Sequence, residues 1–394
     1  MKKKGFLNLH KKVIKKGLCT GCGTCVGICP VGAIQFDFDL EEPVLKGSCT
    51  TCGICYSVCP GEDIPLLQLE NEVFGEVRTR SNELLGVSKA FLKGFAKDPE
   101  VRHAGASGGL TTAILIYLLE QGRIDGALVS TMDLQKPWRV KPILAKTRAQ
   151  FIAGAQSKYT ICPSNVALKD AVAGDRLAAV GLPCHIHGIR KLQAYGKGSK
   201  QAEKVVLSLG ILCGSNQSYR ATEHVIEKFS DIPLEEIKRF EYRGGKDSQN
   251  IQIFTHDGKE ITISNDLRRS VSHPIMKERC RMCCDFSAEL ADISLGEIFD
   301  PGRNQKVPHW NGVIVRTEKG LQIIEDAVRA GAIEVSPLEE DIFYANRGFE
   351  QKKYNGVYNL GERRRLGWPV PNYHYEFTLP HKKKRVYPKL DFYS

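Results

Sequence analysis

The sequence has no apolar run long enough to cross a bilayer. The longest such run, Leu110–Leu119, has ten residues, half of the roughly 20 that a transmembrane helix needs. Lysines 2 to 4 are not followed by an apolar core or a cleavage site, so no secretory signal is evident. We therefore expect a cytoplasmic protein without a transmembrane segment, which leaves peripheral association with a membrane complex open.

Acidic residues are absent from the first 16 positions, which contain seven lysines. Residues 381–394 contain five Lys or Arg and one Asp, and these two ends account for the whole net charge of +11. Such ends are either solvated tails or docking segments for an acidic partner. No nucleic-acid recognition motif accompanies the charge, which argues against a nucleic-acid partner. We expect a basic tail over 1–16 and an extended basic tail over 346–394.

Eight of the fourteen cysteines repeat one pattern, C-x2-C-x2-C-x3-C-P, at Cys19–Pro30 and Cys49–Pro60. Without a secretory signal, this many cysteines point to metal chemistry rather than disulfides. The pattern is typical of a bacterial ferredoxin with two [4Fe-4S] clusters, in which the fourth Cys of each run ligates the other cluster. It predicts a dicluster ferredoxin domain over 17–72. The expected ligands are Cys19, Cys22, Cys25 and Cys59 for the first cluster and Cys49, Cys52, Cys55 and Cys29 for the second.

The chain of 394 residues is long enough for two or three domains. From residue 88, strand-like apolar segments alternate with helical patterns, which predicts an α/β part over 88–230. A more antiparallel part is expected over 231–345, with a hairpin turn at Asp257-Gly258. The fold class is therefore α+β or α/β with an N-terminal ferredoxin. The expected strands of the α/β part are Ala90–Ala96, Gly126–Ser130, Ile143–Lys146, Arg176–Gly181 and Val205–Leu212.

Two short segments are suited to binding a phosphorylated cofactor. Gly105-Ala-Ser107-Gly108-Gly109 precedes the apolar helix pattern, and a turn of small residues at a helix start exposes free N–H groups to a phosphate. Ser157-Lys158-Tyr159 offers a hydroxyl, a cation and an aromatic plane. Each segment also has a simpler interpretation, as a tight turn and as ordinary surface composition. Neither matches the G-x-G-x-x-G or Walker pattern.

The remaining six cysteines suggest a third metal centre. Cys184 and Cys213 each follow a predicted strand, where α/β sheets place their sites, and Cys280 and Cys283 form a C-x2-C pair. These four thiols suit an iron–sulfur cluster or a structural zinc equally well. Cys162 and Cys284 are then spare, because adjacent Cys283 and Cys284 cannot readily face one metal together.

These motifs together resemble the beta subunit family of coenzyme F420 hydrogenases and dehydrogenases. The resemblance rests on the turn at Gly105–Gly109, on Ser157–Tyr159, Gly181–Cys184 and Leu212-Cys213, and on Cys280–Phe286 followed by Ala291–Gly296. The family includes the F420-oxidising subunit of F420 dehydrogenase complexes and the N-terminal half of F420-dependent sulfite reductase, and the ferredoxin runs favour these two arrangements. His185, where many relatives have Gln, and Cys284 depart from the family pattern.

The resemblance implies FAD held by Gly105, Ser107, Gly108, Gly109, Ser157, Lys158 and Tyr159, and a third [4Fe-4S] cluster on Cys184, Cys213, Cys280 and Cys283. It implies an oxidoreductase that exchanges a hydride between F420 and FAD and passes single electrons through the clusters to or from a partner protein. The alternatives are a ferredoxin-driven reductase of another organic substrate and an electron-wiring subunit without a substrate site. His185 is the sole candidate catalytic side chain, and Arg102, Arg190 and Lys191 are candidate F420 contacts.

Overall fold

A computed structural model describes residues 5–195, 201–244, 250–272, 275–297, 310–345 and 347–378 of the chain. The strands are β1 (Ile34–Asp37), β2 (Glu42–Leu45), β3 (Ala90–Ala96), β4 (Gly126–Met132), β5 (Val140–Ala145), β6 (Leu177–Gly181), β7 (Val205–Ile211), β8 (Ile237–Gly244), β9 (Asn250–Thr255), β10 (Glu260–Ile263), β11 (Ile293–Gly296), β12 (Asn311–Val315) and β13 (Ile333–Pro337).

The α-helices are α1 (Phe6–Leu9), α2 (Thr24–Gly27), α3 (Ile54–Ser57), α4 (Leu66–Phe74), α5 (Pro99–Ala104), α6 (Leu110–Glu120), α7 (Arg148–Ala153), α8 (Pro183–Tyr195), α9 (Tyr219–Phe229), α10 (Asn265–Ser272), α11 (Glu278–Arg281), α12 (Glu318–Arg329), α13 (Glu340–Ala345) and α14 (Arg347–Arg365). A π-helical turn continues α1 over His10–Ile14, and 3₁₀ turns occur at Ser164–Asp170 and Leu234–Glu236.

The main sheet, within the described residues, has eight strands in the order β13-β3-β12-β11-β7-β6-β4-β5. The four central strands β11, β7, β6 and β4 run parallel, and their outer neighbours pair antiparallel. The mixed α/β architecture therefore agrees with the predicted fold class. The parts predicted as 88–230 and 231–345 both contribute strands to this sheet, because β11 pairs with β7 and β12 pairs with β3.

Successive side chains of the central strands point to opposite faces of the sheet, and both faces are buried. On β6, Leu177 and Ala179 face the core that includes α8 and the ferredoxin unit, whereas Ala178 faces the core of α6 and α12. A strand covered on both faces has to be apolar at consecutive positions. Helix α6 is apolar nearly all round and is buried along most of its length, as expected for a helix that packs inside a layer rather than on a surface.

The ferredoxin unit packs directly on α8 through one continuous apolar core. Leu18, Val26 and Ile64 share this core with Ile186 and Ile189 of α8. Strands β1 and β2 form the antiparallel hairpin of the unit, in the register Ile34↔Leu45 to Asp37↔Glu42. The iron–sulfur part and the α/β part are therefore joined by an apolar interface, which fixes the position of the cysteine runs relative to the main sheet.

Both predicted tails need correction. Residues 5–16 are not a tail: they form a helical segment whose Phe6, Leu9 and Val13 lie in the ferredoxin core, and its lysines occupy the outer face. The predicted extended segment over 346–394 contains α14, which buries Phe349 and Leu360. The apolar residues of this segment do not recur with a helical period. The helix is therefore stabilised by packing against the rest of the protein and could not be predicted from the local sequence. Residues 1–4 and 379–394 lie outside the described residues.

No helix in the described part of the chain combines the length and the apolar character that crossing a membrane requires.

Candidate functional site

The ferredoxin thiols fall into two sets of four around two small cavities. Cys19, Cys22, Cys25 and Cys59 line the first cavity, and Cys29, Cys49, Cys52 and Cys55 line the second. Each loop turns inward at a glycine with a left-handed backbone, Gly23 at φ 82° and Gly53 at φ 86°, a conformation that favours glycine. The grouping is the one that the spacing of the two runs predicts.

The four thiols proposed for a third centre also line one cavity. Cys184 lies in the first turn of α8, Cys213 follows β7, and Cys280 and Cys283 lie in and after α11. No local sequence pattern links these three segments. The parallel arrangement of β6 and β7 brings the first two together, because parallel strands end at the same edge of the sheet. Cys280 of α11 and Cys283, two residues after that helix, complete the set.

Burial dominates the acid–base properties of these thiols. Desolvation raises the pKa of Cys184, Cys213 and Cys280, with neighbouring thiols among the further causes. A set of buried thiolates therefore needs positive charge nearby. Two cations meet this need on the cavity wall. Lys352 donates to the carbonyl oxygen of Cys280 at 2.8 Å, and Arg279 donates to the carbonyl oxygen of Gly61 at 3.1 Å.

The two spare cysteines have different surroundings. Cys162 is buried in the wall of the larger cleft described next, where burial raises its pKa to about 12. Cys284 is buried away from the third cavity, and its backbone N–H donates to the Tyr373 hydroxyl at 3.2 Å. A Cβ at Gly356 of α14 would lie 3.0 Å from its sulfur. Cys284 is therefore a core residue, and Cys283 is the member of the adjacent pair that faces the cavity.

A cleft of about 260 Å³ lies at the carboxyl ends of β6, β7 and β11. The turn at Gly105–Gly109 and the segment Ser157–Tyr159 both line it, although they are about 50 residues apart in sequence. His185 and Cys213 complete its inner wall. The structure thus brings together the two segments that the sequence proposes for a phosphorylated cofactor and one thiol of the third set.

The turn at Gly105–Gly109 packs closely against neighbouring backbone, and side chains would not fit at its glycines. A Cβ at Gly108 would lie 2.6 Å from the Gly94 carbonyl oxygen, and Gly109 has φ 74°. The Asn311 side chain holds the turn on both sides: its Nδ2 donates to the Ser107 hydroxyl at 2.6 Å, and its Oδ1 accepts from the Leu110 N–H at 3.1 Å. Asn311 was missed by the sequence analysis, since nothing around it forms a motif.

Lys158 does not present its charge to the cleft. Its half-buried Nζ donates to the carbonyl oxygens of Gly154, Ala155 and Gln156 at 2.9, 2.6 and 3.3 Å. Lys158 therefore caps the carboxyl end of α7, and burial lowers its pKa to about 8. A different cation lies near Tyr159: the Arg268 guanidinium is 4.0 Å from the centre of its ring.

His185 is a neutral side chain at the base of the cleft. Its Nδ1 accepts from the Leu182 N–H at 3.3 Å, which leaves the hydrogen of the neutral ring on Nε2. Burial lowers its pKa to about 4. Packing fixes its position as well, since a Cβ at Gly181 would lie 2.6 Å from its own Cβ. His185 can therefore donate a hydrogen bond at neutral pH but cannot supply a positive charge.

Two further wall residues carry no sequence signal. Asn216 is buried between the cleft and the third cavity and lines both; its side-chain Nδ2 has no hydrogen-bond partner. Arg243, at the end of β8, pairs with Glu297 at 2.7 Å on the cleft wall. A buried amide without a partner is costly, which marks Asn216 as a donor toward a group bound in the cleft or in the cavity.

The predicted F420 contacts lie elsewhere. Arg190 is buried on α8 against Asp292 at 3.0 Å, and the Lys191 Nζ donates to the carbonyl oxygens of Cys59 and Asp63 at 2.8 and 2.6 Å. Arg102 lies 3.7 Å from the centre of the Phe95 ring. None of the three lines the cleft. Their role as F420 contacts therefore stays a prediction that the lining of the cleft does not support.

The cleft, the third cavity and the first and second ferredoxin cavities follow one another in a row. The cleft and the third cavity share Cys213, Ser215 and Asn216, and the third cavity shares Thr20 and Pro60 with the first ferredoxin cavity. Cys55 of the second set is among the neighbours that, after burial, raise the pKa of Cys25 in the first. The arrangement leads from the cleft to the surface of the ferredoxin unit, and it suits the transfer of single electrons between clusters.

Fold and cysteine arrangement define an iron–sulfur protein of mixed α/β architecture with an N-terminal dicluster ferredoxin unit. Residues 11–60 match the family described as 4Fe-4S dicluster domain. Residues 91–169 and 174–341 match the N-terminal and C-terminal families of the coenzyme F420 hydrogenase/dehydrogenase beta subunit. The chain belongs to this beta subunit family.

Relatives support the assignment over most of the chain. The beta subunit of the coenzyme F420 hydrogenase of Methanothermobacter thermautotrophicus is 31% identical over 73% of this chain and 99% of its own length. The coenzyme F420-dependent sulfite reductase of Methanocaldococcus jannaschii is 29% identical over 79% of this chain and 46% of its own. Among solved structures, a chain of the F420-reducing [NiFe] hydrogenase complex from Methanosarcina barkeri aligns with a TM-score of 0.58 and 26% identity, over 76% of this chain and 98% of its own.

Proposed function

We propose that the protein is an oxidoreductase that exchanges a hydride between coenzyme F420 and FAD and passes electrons singly through three [4Fe-4S] clusters to or from a partner protein. The observation that carries the proposal is the row of contiguous spaces, in which Cys213 and Asn216 line both the cleft and the third cavity. The F420-linked names of the relatives suggest the hydride carrier. The hydrogenase complex that contains the structural neighbour suggests a partner subunit.

The cleft fits a dinucleotide cofactor. The turn before α6 offers backbone N–H groups at the start of an 11-residue helix, a site that favours phosphate. Close packing around Gly108 leaves no room for a side chain there, and Asn216 supplies an unpaired donor. FAD bound here would accept a hydride and release electrons one at a time. The protein's own contribution is to hold the turn through Asn311, to place neutral His185 and Asn216 at the inner wall, and to exclude water.

The third cavity favours an iron–sulfur cluster over zinc. One zinc ion requires four thiolates at about 2.3 Å from a single centre. Among the described residues, no group of three or more His, Cys, Asp or Glu side chains is arranged to hold one metal ion. The four thiols instead surround a space that Arg279 and Lys352 also line, and an iron–sulfur cluster places its thiolates farther apart on separate irons.

The cations suited to an anionic substrate are Arg243 and Arg268 rather than the three that the sequence suggested. Arg243 lines the cleft, and Arg268 stacks on Tyr159, which also lines it. Burial lowers the pKa of Arg268, and the positive charges of Arg269 and, to a smaller extent, Arg243 add to this shift. An anionic group at this wall would relieve that repulsion.

The decisive test is anaerobic mixing of the fully loaded protein with reduced F420. We expect rapid bleaching of the flavin by reduced F420 and none by NADH, followed by reduction of the clusters. Protein with a full complement of FAD that fails to oxidise reduced F420 would refute the proposal. Flavin that is reduced by electrons entering from the ferredoxin unit, with no response to F420, would favour a reductase of another organic substrate. Absence of bound flavin would favour an electron-wiring subunit.

A further inference from the structure

The second ferredoxin cavity is the end of the row that meets solvent. Its Cys52 is exposed, whereas Cys55 of the same set and Cys22 and Cys25 of the first set are buried. The first ferredoxin cavity lies against the third cavity, because the two share Thr20 and Pro60. Electrons that travel along the row therefore cross the protein surface near Cys52. This step rests on the proposed function only in requiring that the clusters are present.

Two exposed apolar side chains flank this end. Val31 lines the second cavity and is 51% exposed. Leu7 is 68% exposed and follows two residues after Gly5, which also lines the cavity. The N-terminal helical segment is held there by contact, since a Cβ at Gly5 would lie 3.0 Å from the Thr51 Cα. Exposed apolar groups beside an exposed ligand are suited to the dry centre of a small protein interface.

Positive charge surrounds the same end. Lys11 and Lys12 are exposed on the segment that follows Leu7, and the Lys12 Nζ lies 5.8 Å from the ring centre of Tyr56, the residue after Cys55. Lys46 is exposed next to Leu45, which pairs with the cavity residue Ile34. No acidic residue lines the second cavity.

Several acidic residues of the ferredoxin unit are engaged in contacts within the protein. Asp39 pairs with Arg139 of the α/β part at 2.8 Å, and Glu41 accepts from the Ser218 hydroxyl at 2.7 Å. Glu62 accepts from Tyr56, and Asp63 accepts from His374 at 2.6 Å. Residues 17–72 contain eight acidic residues and one lysine, and four of those acidic residues make the contacts just described. The exposed lysines Lys11, Lys12 and Lys46 lie on the N-terminal helical segment and on the end of the hairpin, the two elements that adjoin the second cavity.

We propose that this exit face, defined by Leu7, Val31 and Cys52 and rimmed by Lys11, Lys12 and Lys46, docks a small acidic protein that carries single electrons. Charge complementarity would steer the carrier to the face and speed its association. One electron then passes between the second cluster and the carrier's own redox centre, so that one is oxidised as the other is reduced, and no bond or proton moves. An anionic lipid surface would also attract these lysines, but it has no centre that takes an electron from Cys52.

The test uses the full chain with its clusters loaded and reduced by dithionite, with the excess removed. The probe is a purified acidic ferredoxin with one [2Fe-2S] cluster, whose visible spectrum differs from that of [4Fe-4S] clusters, and the rate of its reduction is followed by stopped flow. The variant Lys11→Glu with Lys12→Glu reverses two charges on the exit face. The matched control is Lys228→Glu with Lys238→Glu, which makes the same change in net charge at exposed positions of α9 and β8. Iron content and EPR spectra verify that both variants retain their clusters.

We expect the exit-face variant to lose about tenfold or more in second-order rate at low ionic strength, with the control unchanged. The difference should disappear near 1 M salt, where charges are screened within about 3 Å. Equal losses in both variants, or no loss in either, would overturn the proposal. So would a variant that reduces the ferredoxin normally but no longer binds phosphatidylglycerol vesicles, because the face would then be a lipid contact. Pre-reduction by dithionite keeps the result independent of whether F420 is the hydride carrier.

Discussion

Lys352 is one of the two cations that line the third cavity. Its Nζ donates to the Cys280 carbonyl oxygen at 2.8 Å, and the neighbouring cysteines raise its pKa above the ordinary value despite its burial. A fixed cation stabilises the reduced, more negative form of a cluster. We therefore expect Lys352→Gln to lower the reduction potential of the third cluster by a few tens of millivolts, where about 59 mV corresponds to a tenfold change in the ratio of oxidised to reduced form.

An EPR-monitored redox titration measures this shift directly. Arg364→Gln is the matched control, because Arg364 lies on the same helix α14 but is exposed. An unchanged potential in Lys352→Gln, or an equal shift in Arg364→Gln, would show that Lys352 does not tune the cluster.

A positively charged residue near a predicted cofactor segment did not reveal which group it contacts in the fold. Lys158, Arg190 and Lys191 are cations near the predicted cofactor segments, and each donates to a protein acceptor instead. A lysine or arginine beside a loop can bind a ligand or donate to a nearby backbone carbonyl oxygen. When that carbonyl group is buried it needs a donor, and the side chain is then used within the protein. Arg243 of β8 lines the cleft and Arg268 of α10 stacks on Tyr159, and we propose these two as the substrate contacts instead.

At the scale of elements, the site depends on how β12 holds the start of α6. Asn311 is the first residue of β12, and its side chain bridges Ser107 and the Leu110 N–H. Asn311→Ala would leave that buried N–H without an acceptor, at a cost of about 1–3 kcal/mol. We expect the chain to fold and the flavin affinity to fall about tenfold or more, since about 1.4 kcal/mol corresponds to a factor of ten.

Titration of the flavin-free protein with FAD, followed by flavin fluorescence, gives the dissociation constant. Asn359→Ala, which removes a surface hydrogen bond to the Arg281 carbonyl oxygen, should bind FAD as the unaltered protein does. Unaltered affinity in Asn311→Ala would mean that the turn at Gly105–Gly109 does not hold the cofactor.

Helices and strands could be predicted where a pattern in the local sequence is enough to specify them. Strand β3 spans the predicted Ala90–Ala96, and the Asp257-Gly258 turn joins β9 to β10 as the hairpin signal indicated. Helix α14 was missed because its stability comes from contacts: Phe349 packs against Phe286, and Gly356 allows close approach to the Cys283 carbonyl oxygen. Packing of this kind has no signature in the local sequence.

At the scale of the whole molecule, the segment after α14 fastens the ferredoxin unit to the α/β part. The Asn372 N–H donates to the Glu62 carbonyl oxygen, and the Ile64 N–H donates to that of Asn372, both at 2.8 Å. Tyr373 is buried in the shared core and accepts from Arg279 at 3.2 Å. We expect a chain that ends at Leu366 to lose iron faster than the full chain when exposed to a chelator, because the seam beside the first and third cavities would open.

A chain that ends at Thr378 is the control, since it keeps every contact just described. The decay of visible iron–sulfur absorbance under anaerobic chelation compares the three proteins. Equal rates for the chains ending at Leu366 and at Thr378 would show that the segment is not needed to protect the clusters.

The sequence by itself determined the ferredoxin ligand sets and the family. Cysteines with two or three residues between them are constrained by the local backbone, and the repeated run fixes which fourth cysteine is exchanged, so Cys19–Pro60 specifies its two sets of thiols wherever the unit packs. Only the tertiary structure decided that Cys184, Cys213, Cys280 and Cys283 surround one cavity, that this cavity adjoins both the cleft and the first ferredoxin cavity, and that Cys52 is exposed. These relations join residues that are distant in the chain. They depend on which strands run parallel and on how the ferredoxin unit packs against α8, and no spacing along the sequence encodes either.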